Sequence, residues 1–150
     1  MFEITYEDIL LVDSLCLFEG EPFGVVDKNK ILSAISNQYQ PYPTYELAFS
    51  SVYKSLVINH GFVNGNKRTA VIVLYLASKI LGNPIILNDE ELSSLTYKIA
   101  GECGSLIEVE DLRNQIFGGD NKKSSIEIDI EKEAISFINS HEWLMKELGK

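Results

Sequence analysis

The residues able to do chemistry are concentrated in one run, His60-Gly61-Phe62-Val63-Asn64-Gly65-Asn66-Lys67-Arg68-Thr69-Ala70. Two glycines and two asparagines lead into adjacent cations, Lys67 and Arg68. From Ala70 to Ala77 there is no charge, and Lys79 is the first after Arg68. The pattern is that of a short loop opening a helix. The first amides of a helix have no intrahelical acceptor and carry the positive end of the helix dipole. Gly65 allows a left-handed turn, so that successive N–H groups face one concave spot. Asn66 tolerates the same region and can bond to nearby backbone. With Lys67 and Arg68 beside it, such a nest suits a phosphate. His60 stands at the other end of the loop, and an imidazole titrating near neutrality suits a general base. A base at one end and a phosphate nest at the other correspond to transfer from a nucleotide to a hydroxyl.

Taken singly, these residues have ordinary structural explanations. His60 alone fits a helix C-terminus or the surface, the glycines fit helix punctuation, and Lys67 and Arg68 fit a solvated pair. One decoy lies in the same run: Gly61 to Lys67 nearly spells a Walker A loop. Asn66 stands where its second glycine belongs, Arg68 where Ser or Thr belongs, and no strand-like run precedes it, so that reading fails.

The full run resembles the signature of the Fic/Doc family, His-Pro-Phe-x-Asp/Glu-Gly-Asn-Gly-Arg. It is most similar to the Doc (death-on-curing) branch, which has Lys in place of the last glycine, as Lys67 stands here. The similarity extends over about residues 5–117. It implies that His60 deprotonates a protein hydroxyl, that Phe62 anchors the loop, and that Gly65, Asn66 and Arg68 form an anion hole. It implies that Lys67 occupies space left to the nucleotide in Fic chains. In the Doc branch this goes with an inverted ATP, transfer of the γ-phosphate and a protein kinase, whereas Fic enzymes transfer AMP. Asn64 departs from the pattern, which has an acidic magnesium ligand here. Magnesium prefers carboxylate oxygen, so Asn64 should hold Mg²⁺ weakly.

The remaining elements must position this loop. The chain is 150 residues long, one domain's worth, and 45% hydrophobic. Its net charge of −9, from 22 acidic and 13 basic residues, disfavours direct nucleic-acid binding. Cys16 and Cys103 match no metal or redox spacing. The start Met1-Phe2-Glu3 has no basic leader region and no apolar run reaches membrane-spanning length. The expectation is a cytoplasmic protein without a membrane partner.

A first helix is expected over 5–18, capped by Thr5, with Ile9, Leu10, Val12 and Leu17 available to the core. The stretch 19–27, with Gly20, Pro22 and Gly24, reads as a structural connection. Asp27 caps a second helix that buries Ile31, Leu32 and Ile35. Pro41 and Pro43 favour extended backbone in 38–44. The resemblance puts a flap here that clamps a target segment by strand addition; an ordinary linker fits the same residues. Thr44 caps a helix to about Asn59, with Leu47, Ala48, Ser51 and Leu56 near one face. The helix over 67–81, roughly 22 Å long at 1.5 Å per residue, is apolar nearly all round and should be central. Helices are expected over 89–102 and 109–117.

Residues 118–125 read as a polar linker, 126–130 alternate apolar and acidic residues, and 131–148 reads as one amphipathic helix carrying Phe137, Trp143 and Leu144. His141 reads as an ordinary surface residue. The expected fold is thus all-α: a Fic/Doc-like helical bundle with a small flap hairpin or loop over residues 1–118, and a C-terminal extension, 119–150, packed on the same domain. Fic chains can be restrained by an inhibitory helix reading Ser/Thr-x-x-x-Glu-Gly/Asn. Ser14 and Glu19-Gly20 come one residue too far apart for that string. The resemblance therefore implies a toxin restrained by a separate antitoxin chain, using ATP and Mg²⁺ to modify a target protein of the translation machinery. AMP transfer, against which Lys67 argues, and a degenerate Fic-fold protein that binds nucleotide or partner without turnover, which Asn64 keeps open, are the alternatives.

Overall fold

A computed structural model describes residues 3–150; Met1 and Phe2, on which the leader reading partly rests, lie outside the described residues. Among the described residues the chain is all-helical: α1 (Tyr6–Cys16), α2 (Lys28–Ile35), α3 (Tyr45–Asn59), α4 (Asn66–Leu81), α5 (Asp89–Ala100), α6 (Val109–Ile116), α7 (Ile130–Ser140) and α8 (Glu142–Leu148). Two isolated bridges, Val25 with Phe62 and Ile85 with Phe117, are the extended pairings described.

The capping residues act as their types dictate. The hydroxyl of Thr5 accepts from the Asp8 amide while the Asp8 carboxylate accepts from the Thr5 amide, a closed capping box. Asp27 accepts from the Asn29 amide and Thr44 from the Leu47 amide. At the other end of α4, Gly82 turns left-handed at φ 64° and its amide returns to Lys79.

The core is built around α4. All residues from Arg68 to Leu74 are buried, and the buried set continues through Leu76, Ala77, Ile80 and Leu81. α3 and α1 pack on α4, and α7 packs on both α4 and α1. Ile130, Ala134 and Phe137 of α7 and Leu144, Met145 and Leu148 of α8 belong to the same hydrophobic cluster as α1 and α4. Buried Glu46 ties the extension down further: one carboxylate oxygen accepts from Asn83 Nδ2 at 2.9 Å and from the Lys122 amide at 2.8 Å.

Several expectations need correction. Of the two forms expected for 38–44, hairpin or loop, the structure has the loop: a 3-10 turn (Ser36–Tyr39) leads into an irregular segment held by Tyr42 Oη donating to Ser51 Oγ at 2.9 Å. A hairpin needs a partner strand, and the described residues supply none. Leu32 is 37% exposed, because the eight-residue α2 turns only Ile31, Ala34 and Ile35 inward. The helix expected over 131–148 is two helices broken at His141 (φ −130°, ψ 47°). His141 Nδ1 lies 2.9 Å from the Phe137 carbonyl, the acceptor its own amide would use in a continuous helix. Nor is His141 an ordinary surface residue, since its ring stacks on Phe137 at 4.0 Å. The break turns Leu144, Met145 and Leu148 inward and leaves Trp143 47% exposed.

Candidate functional site

The loop between α3 and α4 starts at His60, which caps α3 in a left-handed conformation (φ 50°), the only non-glycine with positive φ among the described residues. Its ring is exposed and makes no hydrogen bond with the described residues. Phe62 is 3% exposed and holds the loop to the core, as its apolar ring dictates. The connection 19–27 runs alongside: Val63 N–H donates to Gly24 O at 2.9 Å, Val26 N–H donates to Gly61 O at 2.8 Å, and Asn64 Nδ2 donates to Pro22 O at 3.0 Å. A reciprocal pair closes the loop on itself, with Asn66 Oδ1 accepting from the Phe62 amide and Asn66 Nδ2 donating to Phe62 O.

Gly65 is the N-cap of α4 at φ 84°, the left-handed turn that its type allows, and no side chain caps the helix there. The first backbone bond runs from Thr69 N–H to Gly65 O at 2.8 Å. The amides of Asn66, Lys67 and Arg68 therefore lack intrahelical acceptors at the positive end of a largely buried helix. A Cβ on Gly65 would stand 2.7 Å from Asp13 Oδ1, so the turn is also a close approach to α1.

The two cations behind this turn differ. Lys67 is half-buried, with Nζ 5.3 Å from the Tyr97 ring centroid and no carboxylate partner. Arg68 is 2% exposed and bonded through both Nη atoms: Nη1 donates to Cys16 O at 2.7 Å and to Glu21 Oε1 at 2.8 Å, and Nη2 donates to Glu21 Oε2 at 2.9 Å. Its guanidinium lies 4.1 Å from the Phe18 ring centroid, and its Nε is buried without an acceptor. The fork of Arg68 matches the Glu21 carboxylate in the bidentate manner that it would use on a phosphate.

Three acidic or thiol groups lie around Arg68. Hydrogen bonds from Arg68 hold the Glu21 carboxyl below its usual range. Asp13, fully buried on α1, is pushed up to about 7 by burial, against the hydrogen bond from Thr69 and the charge of Arg68. Its Oδ1 accepts from Thr69 Oγ1 at 2.9 Å and its Oδ2 has no partner. Burial also pushes the Cys16 thiol up to about 12, so it is not a nucleophile at neutral pH.

The C-terminal extension forms one wall. Tyr97, the ring beneath Lys67, donates its hydroxyl to Glu147 O. Gly149 lies against Phe18, the ring on Arg68: a Cβ on Gly149 would come within 2.5 Å of Phe18 Cε2.

The structure thus gathers Asn64, Gly65, Asn66, Lys67 and Arg68 around the start of α4 but divides their work. Gly65 and Lys67 leave donors and charge available, whereas Asn64, Asn66 and Arg68 are bonded to the protein. For Mg²⁺ the donor set is weak: Asn64 offers one neutral oxygen, and no group of three His, Cys, Asp or Glu residues suited to a metal occurs among the described residues. Glu21, Asp13, Phe18 and Tyr97 were missed by sequence reasoning. A signal existed for Asp13, which shares the buried stripe of Ile9, Val12 and Cys16 at helical spacing. For Glu21, 47 positions from its partner in a turn-rich stretch, none did.

Comparison with known proteins gives no family. No family model, no curated protein and no solved structure matches the chain. No helix of the described residues is long and apolar enough to cross a membrane.

Proposed function

We propose that the chain transfers the γ-phosphate of ATP to a hydroxyl of a target protein, as a Doc-type toxin paired with a separate antitoxin. The observation that carries this reading is the uncapped, left-handed start of α4 at Gly65. Its open amides and the unpaired Lys67 form a phosphate seat, and an exposed, unbonded His60 stands at the head of the same loop. The resemblance of the 60–70 run to the Doc signature supplies the reaction class and a target in translation. The ion pair of Arg68 with Glu21 must open before Arg68 can take a phosphate oxygen, which makes the closed pair a resting state.

A second reading, a nucleotide- or partner-binding protein without turnover, is favoured by neutral Asn64 and by the occupation of Arg68. The deciding experiment incubates the protein in lysate with ATP labelled at the α- or the γ-phosphate, beside His60→Asn. Asn keeps the left-handed backbone but cannot serve as the base. Protein label from γ-ATP alone, lost in the variant, supports the kinase; label from α-ATP replaces it with AMP transfer. Absence of label with ATP still bound in calorimetry leaves the binding reading.

A further inference from the structure

At the opposite end of α4 from the loop, a cavity of about 500 Å³ opens between α4, α5 and α7, with Ile126 at its rim. That volume is within the range of small-molecule sites, roughly 300–1,000 Å³. Its floor is aromatic: Tyr75 and Phe137 lie 4.6 Å apart, and His141 stacks on Phe137. Leu92 adds an aliphatic wall.

The polar groups at the mouth are few and unequal. Lys79 is exposed and makes no ion pair or hydrogen bond with the described residues; its Nζ lies 5.7 Å from the Tyr75 ring centroid. Asp89, of opposite charge, lies at the same mouth. It is the first residue of α5, where the helix dipole favours a carboxylate, and His141 Nε2 faces it at 3.8 Å. Since the Phe137 carbonyl can only accept, His141 Nδ1 carries a proton and donates to it, which fixes the ring's orientation. What the mouth lacks is a partner for Lys79.

We propose that this cavity binds a small apolar monocarboxylic acid, its hydrocarbon body on Tyr75, Leu92 and Phe137 and its carboxylate on Lys79. A charge-assisted bond from Lys79 fixes the orientation of a ligand whose body is recognised by shape and burial alone. Lys79 follows Lys67 by twelve residues of one helix, roughly 18 Å at 1.5 Å per residue, so this site is separate from the phosphate seat.

The test is calorimetric titration of the full chain with decanoate and with decyltrimethylammonium, both below their micelle-forming concentrations. The expected result is decanoate binding that weakens about tenfold or more in Lys79→Glu. Ile126→Trp, at an exposed rim position, should abolish it by filling the mouth. Thermal melts unchanged from the parent establish that both variants are folded. Equal or tighter binding of the cationic probe, decanoate affinity unmoved by Lys79→Glu, or no decanoate binding to the parent overturns the proposal.

Discussion

Glu21 grips Arg68 with both carboxylate oxygens, at 2.8 and 2.9 Å, across 47 residues of chain. Arg68 is buried and Glu21 is 23% exposed, so the pair is only partly shielded by the protein. The guanidinium donors that could hold a phosphate are thereby spent on a carboxylate, while Phe18 closes one face of the group.

Replacing that carboxylate separates its two consequences. Glu21→Gln removes the countercharge of a buried arginine and should cost about 3 kcal/mol of stability, seen as a lower denaturant midpoint at unchanged slope. ATP affinity in calorimetry should rise, since the freed fork donates to phosphate oxygen instead. Unchanged or weaker ATP binding in a folded Glu21→Gln protein would remove Arg68 from the phosphate seat.

The pH dependence follows from two carboxyls of opposite sign. Glu21 is held low, so its contribution is present above the ordinary carboxylate range and disappears as pH falls through its folded value. Asp13 is raised from 3.8 to about 7, so the folded state retains a proton that the unfolded chain has lost. Stability therefore declines as pH rises from about 4 to about 7 and levels off beyond it. Asp13→Asn, which keeps an acceptor for Thr69, should gain about 2–3 kcal/mol more at pH 8 than at pH 5. In thermal melts that is a Tm difference of about 5–10 °C; a gain independent of pH would contradict it.

Gly65→Ala confronts two obstacles at once, a left-handed φ of 84° and Asp13 Oδ1 2.7 Å from the new methyl. A loss of about 2 kcal/mol or more is expected in chemical denaturation, together with weaker ATP binding as the α4 amides are redirected.

His60 has an exposed ring without partners, so His60→Asn should leave the melting curve almost unmoved, within about 0.5 kcal/mol. Phosphate transfer should fall by about two to four powers of ten. Retained transfer in the variant would exclude His60 as the base.

Tyr97 tests the wall formed by the last helix. Tyr97→Phe deletes the hydroxyl bond to Glu147 O and should cost about 1 kcal/mol, leaving ATP affinity unchanged because the ring still seats Lys67. Tyr97→Leu removes the ring as well, and ATP affinity should then change in the same calorimetric titration.

What the residue order determined is local. Thr5, Asp27 and Thr44 cap helices because their side-chain oxygens reach free amides within the first turn, and Gly65 turns left-handed because it has no Cβ. The unbroken apolar stretch of α4 could be stable only under cover on all sides, which placed it at the centre. Between hairpin and loop at 38–44 the residue order left the choice open, and the single helix expected over 131–148 failed, because each depends on what lies nearby: a partner strand that the described residues do not supply, and the Phe137 carbonyl that His141 takes over. Tertiary structure alone decided the pairing of Arg68 with Glu21, the burial of Asp13 behind Gly65, and the return of α8 to Tyr97 and Phe18. These contacts join residues that no short-range periodicity connects. A charged group's partner is set by where the packed helices leave it, and that position is fixed only when the whole core has closed.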